Sequence, residues 1–338
     1  MATPKTIPSK LNKSGYVKSI SGSLYITSIL KSTSLRLNGT SISETLNPQE
    51  FHSPIQCSEF QADPNSVSYI VLGSAVDVWS PVISDFSEDL VGWYDSSDFV
   101  TINTNSTHPS VSVILDKSSS LNDLIQSNPA KMPITENSNI NGLNVLEFDG
   151  ADNANAQQFV SSSFDVNANG DFSVIGVMRI DETSSANDSL WALKGDSSFQ
   201  FDARVVAEFA GRIETNNNGT LRLNDGPASA TRYSGTHIFA NIFDFNDVAK
   251  FFAHVDGEDV TDGGSAYTIK LGGGTPSFTV AVNRGQNRGI KGAMAEIVVS
   301  DDVSSSTIEK TEGYLAHKWG LTANLPSSHS YKNSPPSV

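Results

Sequence analysis

Most of the chain consists of short runs in which apolar and polar positions alternate, a pattern that predicts β-strands. From residue 111 onward these runs recur at short intervals, with Asn-Gly, Asp-Gly and Gly-Gly turns between them. Many short strands joined by such turns predict a two-sheet antiparallel sandwich. The predicted strands lie at 111–115, 145–148, 158–162, 171–179, 189–193, 199–209, 220–223, 236–243, 248–255, 266–271, 277–283 and 293–299.

One segment near the end has the period of a helix instead. Its apolar face, at about 100° per residue, consists of Ile308, Leu315 and Trp319. Ser306 followed by Glu309 has the spacing of a capping box at a helix start, and Gly320 stands where a helix end favours glycine. We therefore predict a helix of about fourteen residues that packs on a sheet.

The strand before the helix and three further segments complete the predicted secondary structure. In the strand at 293–299, directly before the helix, Glu296 belongs to one alternating face and apolar residues to the other. Residues 119–126 predict a second, short helical turn. Residues 20–37 and 68–79 contain β-rich runs that predict a small β-module near the N-terminus.

Four stretches carry a resemblance to a known family. They are residues 90–98, the Asp-Lys-Ser turn at 116–118, the Phe-Asp-Gly turn at 148–150, and the strand, helix and Leu-Pro-Ser-Ser-His tail within 295–329. In this order they resemble the laminin-G-like (concanavalin A-like) jelly-roll domains that are common in bacteriophage virion proteins and in some bacterial surface proteins. The resemblance extends over about residues 88–331 and does not include the first 85.

The resemblance implies both a fold and a role. The fold is all-β, a two-sheet antiparallel jelly-roll sandwich with one C-terminal helix, over residues 86–338. Residues 1–85 precede it as a basic, β-rich anchoring arm or small module. The implied role is that of a phage virion structural protein (capsid decoration, head-fibre or tail-associated) that displays a lectin-like sandwich for glycan binding.

Composition agrees with a β-protein that has many polar turns and a sizeable core. Of the 338 residues, 38% are hydrophobic and only 17% are charged. Cys57 is the single cysteine, so no intramolecular disulfide can form, and we expect it to be a small buried hydrophobic residue. The N-terminus lacks the apolar run of a signal peptide, and no run of 18 apolar residues occurs. We expect synthesis in a host cytoplasm, incorporation into a virion, and no membrane contact.

Charge is divided unevenly between the start of the chain and the rest. Residues 1–43 carry a net charge of +6 and no acidic residue, whereas the remainder carries −21. The basic residues are Lys5, Lys10, Lys13, Lys18, Lys31 and Arg36. These basic residues occur one at a time among Ser, Thr, Ile and Leu, which favours an extended segment that docks on an acidic protein partner. A solvated arm and a nucleic-acid contact are the alternatives. The acidic remainder should repel nucleic acid, so we predict anchoring to other virion proteins.

The sequence offers one carboxylate pair as a candidate for catalysis, Glu147 and Asp149 at alternate positions of one strand. In glycoside hydrolases that share the resembled fold, such a strand places acid and nucleophile on one face. The third carboxylate of that pattern is missing, because Gly150 and Ala151 follow and Asp152 falls out of register. The six histidines show no metal-ligand spacing, and neither a Gly-x-Ser-x-Gly motif nor a P-loop occurs. We therefore predict no catalytic residues and a protein that is not an enzyme.

Two sets of polar residues are candidates for binding. One loop that could contact a sugar or a protein contains Arg284, Gln286, Asn287 and Arg288. The alternative is that these residues are exposed side chains of a hairpin and bind nothing. Acidic turns whose oxygen atoms suit calcium contain Asp149, Asp152, Asp256 and Asp262. Solvated turn acids are the alternative for these residues, and no other cofactor is predicted.

Two functional hypotheses remain. The first is the virion structural protein, favoured by the acid-free N-terminal segment and the missing catalytic set. The second is a stand-alone carbohydrate-binding or glycan-hydrolysing protein. The expected partners are other virion proteins through the N-terminal region, host surface glycans and further copies of the chain. Dimers and trimers both stay open, because no heptad run sets the stoichiometry.

Overall fold

The computed structural model divides the chain into two compact units, residues 1–79 with 337–338 and residues 80–336. The structure describes side chains for residues 79–81, 90–104, 109–151, 155–161, 164, 171–181, 189–194, 201–203, 233–244, 252–260, 277–283 and 285–337, and the strands outside these ranges by their backbone alone. The boundary that we predicted near residue 85 falls in residues 82–89, outside the described residues.

The first unit contains a six-stranded antiparallel sheet. Its strands are β1 (Lys5–Thr6), β2 (Tyr16–Lys31), β3 (Leu35–Leu37), β4 (Thr40–Ile42), β5 (Gln49–Ala62) and β6 (Tyr69–Ser74). They pair in the order β1-β6-β2-β5-β3-β4. The longest pairing joins β2 to both β5 and β6, so these three strands form the middle of the sheet.

The second unit contains two larger sheets, in which every pairing between strands is antiparallel within the described residues. The nine-stranded sheet consists of β8 (Ile102–Thr104), β9 (Val111–Ile114), β10 (Leu124–Ile125), β14 (Phe159–Ser161), β16 (Asp188–Lys194), β17 (Gln200–Val206), β18 (Arg212–Asn217), β19 (Leu221–Asn224) and β23 (Ser277–Val280). The seven-stranded sheet consists of β7 (Leu90–Asp95), β13 (Leu146–Asp149), β15 (Phe172–Glu182), β20 (Gly235–Asp244), β21 (Lys250–Val255), β22 (Glu258–Asp259) and β24 (Lys291–Ser300). A small hairpin joins β11 (Asn139–Ile140) to β12 (Leu143–Asn144), and residues 129–131 form a 3₁₀ turn.

The two large sheets face each other across an apolar core. Phe201 of the nine-stranded sheet meets Phe243 of the seven-stranded sheet edge to face, with ring centroids 4.6 Å apart. Trp191 donates a hydrogen bond from Nε1 to Asn241 Oδ1 across the same core, at 2.9 Å. This contact satisfies a buried polar group on each sheet. The predicted all-β sandwich with one C-terminal helix is therefore confirmed.

Helix α1 (Ser305–Trp319) packs on the outer face of the seven-stranded sheet. The predicted apolar face is confirmed, because Ile308, Leu315 and Trp319 are all buried there. Gly320 ends the helix in the left-handed conformation, as predicted, with φ 73°.

The predicted N-cap of this helix is wrong by two residues. The cap is Ser304, whose hydroxyl accepts a hydrogen bond from the backbone of Thr307 at 3.4 Å. Asp302 fixes this arrangement, since its carboxylate accepts from the backbone of Ser304 at 2.8 Å and from the hydroxyl of Thr307 at 2.5 Å. The helix therefore starts at Ser305, two residues earlier than a cap at Ser306 would give.

A β-bulge in β24 breaks the strict alternation that the sequence predicted. The pairing with β15 shifts between Val177 and Met178, opposite residues 294–296. Because of the extra residue, Met294 points into the core between the sheets, whereas Glu296 points outward to the helix. The bulge thus places a carboxylate under α1.

Candidate functional site

A pocket of about 390 Å³ lies on the outer face of the seven-stranded sheet, beside the first half of α1. Its sheet side comes from β20, β21 and β22, and its other walls come from α1 and the segment 326–329. The apolar part of the lining consists of Ile242, Phe252, Val303, Ile308 and Pro326. The polar part includes Asp244, His254, Asp259, Glu309, Glu312 and His329. This size and mixture are typical of small-molecule sites.

Glu312 lies between two imidazoles in the wall of the pocket. Nδ1 of His254 is 2.9 Å from Oε1 of Glu312 and hydrogen bonds to it. Nε2 of His329 is 3.5 Å from Oε2 of the same carboxylate, is buried, and makes no hydrogen bond. The backbone N–H of Tyr331 donates to Nδ1 of His329 at 3.2 Å, so the proton of this ring belongs on Nε2. The wall therefore contains a buried N–H donor without an acceptor.

Electrostatics favour the charged form of both members of the His254–Glu312 pair. Burial opposes ionisation of Glu312, but the two neighbouring imidazoles outweigh it and lower the pKa of Glu312. Burial also opposes the charge on His254, and Glu312 together with Asp259 outweighs it and raises the pKa of His254. The two opposite shifts are those of an ion pair.

The β21–β22 turn gives the pocket its wall near His329. Gly257 in this turn has φ 78°, a conformation that favours glycine. A Cβ at this position would lie 2.8 Å from Cδ2 of His329 and 3.1 Å from Cδ2 of Leu325. The C-terminal segment can pack against the turn because no side chain is present there.

A second polar cluster lies under the other half of α1, around a buried glutamate. Glu296 is 0% exposed, and its Oε1 accepts from Trp93 Nε1 at 2.6 Å and from the Tyr314 hydroxyl at 2.9 Å. Its Oε2 accepts from Trp319 Nε1 at 2.8 Å and lies 2.7 Å from Lys318 Nζ. Four donors thus surround one carboxylate, and residues from two of the resemblance-carrying stretches meet here.

Asp95 extends this cluster towards the surface. Its Oδ2 is 2.8 Å from Lys318 Nζ and 3.1 Å from Lys117 Nζ, and Lys117 also lies 4.1 Å from the ring centroid of Trp93. Burial would raise the pKa of Asp95, but Lys318 and Lys117 outweigh it and lower that pKa. At Glu296, burial is the larger effect and raises the pKa despite Lys318. The cluster joins the end of α1 to strands β7 and β24 of the sheet.

Glu147, the first carboxylate of the candidate catalytic pair, is bound by an arginine. Its Oε1 accepts from Arg179 at 3.0 Å, and Asn137 also donates to its carboxylate. Asp181 holds the same guanidinium at 2.8 and 3.1 Å. Burial would raise the pKa of Glu147, and its hydrogen bonds together with Arg179 lower it. Glu147 is thus held as an ionised partner of Arg179.

The predicted binding loop is a turn that is held by its own hydrogen bonds. The backbone of Gln286 donates to the carbonyl of Asn283 at 2.8 Å, and the backbone of Asn287 donates to the Asn283 side chain at 3.2 Å. Gln286 also accepts from Gln158 through its side chain, at 3.2 Å. Arg288 belongs to the same turn, and Arg284 lies outside the described residues.

The calcium candidates do not come together in the part of the chain that the structure describes. No group of three or more His, Cys, Asp or Glu side chains there could hold a metal ion. Asp256 accepts from the backbone of Ile238 at 2.9 Å and pairs with His237 at 2.6 Å, and Asp149 accepts from the backbone of Ala151 at 3.1 Å. Asp152 and Asp262 lie outside the described residues.

The basic N-terminal residues are described in part. Lys5, Lys18, Lys31 and Arg36 belong to strands β1, β2 and β3, by their backbone only. Lys10 and Lys13 lie outside the described residues. Within the described residues, no helix has both the length and the apolar character that crossing a membrane requires.

The sequence reasoning missed the pocket. His254 and Glu312 are 58 positions apart in the sequence, and His329 lies beyond the end of α1. No local motif therefore joins the three residues. The available signal was weak: His254 occupies an outward position on a strand whose neighbouring residues are apolar. Only the packing of α1 onto β21 brings these side chains together.

Comparisons with known proteins identify similar architecture. No family model matches the sequence, and no curated protein matches it. A Trypanosoma rangeli sialidase in complex with 2,3-difluorosialic acid is 17% identical, with a TM-score of 0.42, and the match covers 68% of this chain and 33% of the sialidase. The fourth domain of an extracellular GH43 arabinanase from Geobacillus stearothermophilus, in complex with arabinotriose, is 11% identical with a TM-score of 0.44, covering 63% of this chain and 92% of that domain. The chain thus spans about a third of the length of this sialidase, and neither structure is described as a virion protein.

These comparisons correct one prediction. We expected a protein that is not an enzyme, and this is contradicted because the sialidase and the arabinanase are both glycoside hydrolases. The expectation rested on an incomplete carboxylate pattern on one strand and on the absence of short catalytic motifs, and it took no account of side chains that come together only through packing.

Proposed function

We propose that residues 80–336 form a glycan-binding sandwich and that the pocket beside α1 is its binding site. The observation that carries this proposal is the chemistry of the lining. A sugar presents hydroxyl groups on its edges and C–H groups on its faces, so it needs polar partners around an apolar surface. The lining of the pocket combines carboxylates and imidazoles with the Phe252 ring and the side chains of Ile242 and Ile308.

The buried N–H of His329 supports the same proposal. Buried donors in folded proteins almost always have an acceptor, and an exception calls for an explanation. Here the unsatisfied atom is next to the carboxylate of Glu312, in the wall of the pocket. A ligand that hydrogen bonds to Glu312 can shift this carboxylate and complete the set of hydrogen bonds.

A matched pair of substitutions tests the location of the site. Ser305 lines the pocket and is exposed, whereas the next residue, Ser306, is exposed and does not line it. We expect Ser305→Phe to fill the pocket and remove binding, and Ser306→Phe to leave it intact. Calorimetric titration of the full chain with neutral oligosaccharides measures binding, and chromatography of the same samples detects any hydrolysis products. Equal binding by both variants would place the site elsewhere.

We also propose that the protein is displayed on a phage virion, as a capsid-decoration, head-fibre or tail-associated protein. The sequence resemblance of residues 88–331 and the acid-free segment with a charge of +6 support this. In this proposal residues 1–79 dock on acidic surfaces of other virion proteins, and the sandwich presents its pocket to host surface glycans. Several copies assemble together, and neither nucleic acid nor membrane is a partner.

Neutralising the anchor tests this second part. Replacing Lys5, Lys10, Lys13, Lys18, Lys31 and Arg36 by Gln removes the charge of residues 1–43. We expect the number of copies on purified particles to fall while glycan binding by the free protein stays unchanged. Unchanged incorporation would contradict electrostatic anchoring.

A further inference from the structure

We infer that His254 is the residue through which the pocket holds its ligand, and that its Nε2–H donates a hydrogen bond to an oxygen atom of the sugar. This inference rests on the proposed glycan-binding function and adds the contact that fixes the ligand. His254 lines the pocket, and its side chain is 21% exposed. It is therefore open to a ligand, unlike its partner Glu312, whose side chain is 3% exposed.

One ring nitrogen of His254 is engaged by the protein and the other is not. Nδ1 bonds to Oε1 of Glu312 at 2.9 Å. Nε2 makes no hydrogen bond within the described residues, although the ring borders a cavity of about 390 Å³. A polar atom without a protein partner in the lining of a pocket is a point of attachment for a ligand. Nε2 is thus the atom of this ring that remains for the sugar.

Glu312 decides which kind of hydrogen bond Nε2 of His254 makes. An ionised carboxylate only accepts, so Nδ1 has to keep its proton towards Glu312. In the charged ring Nε2 carries a second proton and donates, whereas in the neutral ring Nε2 has no proton and accepts. Loss of one proton from His254 therefore reverses the polarity of the hydrogen bond that the pocket offers at this atom.

The surroundings of His254 favour the charged, donating ring. Burial lowers the pKa of His254, but the hydrogen bond and the charge of Glu312, together with the charge of Asp259, outweigh burial and raise it. An imidazolium N–H is a charge-assisted donor, which forms a stronger hydrogen bond than a neutral group does. Affinity for a sugar oxygen should therefore be full below the pKa of His254 and fall as the pH rises through it.

The other titratable groups of the pocket come from each described element that packs against β21 here. These groups are Glu309 and Glu312 on α1, Asp244 on β20, Asp259 on β22 and His329 in the segment 326–329. Asp259 is the register partner of His254, and Glu312 is its hydrogen-bond partner. Nε2 of His329 approaches the same carboxylate of Glu312, at 3.5 Å. Because two imidazoles lie beside one carboxylate, the test has to separate the two rings.

The methyl glycosides of glucose, galactose and N-acetylglucosamine are the probes for the test, because none of them changes its charge between pH 6 and pH 9. NMR titration of the full chain measures weak binding of each probe at both pH values. For a probe that binds, we expect the affinity to fall about tenfold from pH 6 to pH 9, which is the difference between a charge-assisted and an ordinary hydrogen bond.

Three substitutions assign this pH dependence to one ring. His254→Gln should bind weakly at pH 6 and show no fall towards pH 9, because the glutamine amide does not titrate in this range. His329→Gln should keep the fall. His237→Gln is the matched control and should also keep it, because His237 likewise pairs with a carboxylate, Oδ2 of Asp256 at 2.6 Å, but does not line the pocket.

The outcomes separate this inference from the function on which it rests. Wild-type affinity that is equal at pH 6 and pH 9 would overturn the role of His254 while leaving glycan binding in place, and this measurement needs no variant to fold. A fall that persists in His254→Gln, or that disappears in His329→Gln or His237→Gln, would do the same. Binding of none of the three glycosides would overturn both.

Discussion

Removing Lys318 should destabilise the sandwich strongly, because its ammonium group is the cation shared by two buried carboxylates. Nζ lies 2.7 Å from Glu296 and 2.8 Å from Asp95, whose side chains are 0% and 6% exposed. In Lys318→Met the methylene packing stays and the charge is lost. Asp95 keeps Lys117 at 3.1 Å, but Glu296 has no other cation within the described residues.

The expected loss follows from leaving an ion buried without its partner. Breaking a buried pair by removing one member typically costs about 3–5 kcal/mol. The two indole N–H groups and the Tyr314 hydroxyl still bond to Glu296, so we place the loss at about 3 kcal/mol. For a unit of this size that corresponds to a fall in Tm of roughly 6–12 °C.

Denaturant unfolding followed by tryptophan fluorescence measures this loss, since Trp93 and Trp319 both donate to Glu296. Lys310→Met on the same helix is the matched control, because Lys310 makes no ion pair within the described residues. The penalty should also depend on pH. The pKa of Glu296 is already raised and rises further without Lys318, so protonation below this pKa should relieve the penalty, which returns as the pH increases.

A loss below about 1 kcal/mol, or one equal to that of Lys310→Met, would refute the reasoning. So would a penalty for Lys318→Met that is the same at pH 5 and pH 8. Either result would show that water or a conformational change compensates the buried carboxylate.

Two further predictions concern the sheet and its titratable groups. Gly292→Ala should destabilise the fold by at least about 3 kcal/mol, because its Cβ would lie 1.9 Å from the backbone oxygen of Arg179. Gly285→Ala is the control and should cost little, because the nearest atom to its Cβ is the side-chain oxygen of Asn287 at 3.1 Å. Thermal unfolding compares the two variants. His237 should stabilise the fold below its unfolded pKa, near 6.5, and lose this contribution as the pH rises through its folded pKa. Burial lowers the folded pKa of His237, but the ion pair with Asp256 outweighs burial and raises this pKa. Between pH 6 and 9 the free energy of unfolding of the wild type should therefore fall by about 1 kcal/mol more than that of His237→Gln. Parallel pH profiles of the two proteins would contradict the pairing.

The elements that were predictable are those whose signal is local. The apolar face of α1 and its glycine end follow from spacing alone, and both are confirmed. The start of the helix was not predictable from the capping-box pattern at Ser306, because Asp302 orients Ser304 as the cap through two hydrogen bonds that the pattern does not contain.

The predicted helical turn at 119–126 is wrong for a related reason. Asp116 accepts from the backbone of Ser118 at 2.8 Å and from that of Asn122 at 2.9 Å, so these groups are not available to a helix. Leu124 is then buried in the core on β10, which pairs with β9 and β14. A side chain outside the segment thus decided its structure, and a hydrophobic pattern within the segment could not show this.

The two attachments of α1 to the sheet differ in a way that bears on function. Under the end of the helix, each oxygen of Glu296 has two donors within 2.9 Å and the packing is closed. Under its first half, Glu312 bonds to one imidazole, only approaches a second, and borders a cavity. Both carboxylates are buried where α1 packs on the seven-stranded sheet. The fold supplies enough donors at one of them, so a general shortage of donors does not explain the difference. Most buried polar groups in natural proteins have a hydrogen-bond partner, and Nε2 of His329, which has none, lies at the pocket. A substitution that completed the hydrogen bonding of His329 and filled the cavity should therefore raise stability and remove ligand binding together.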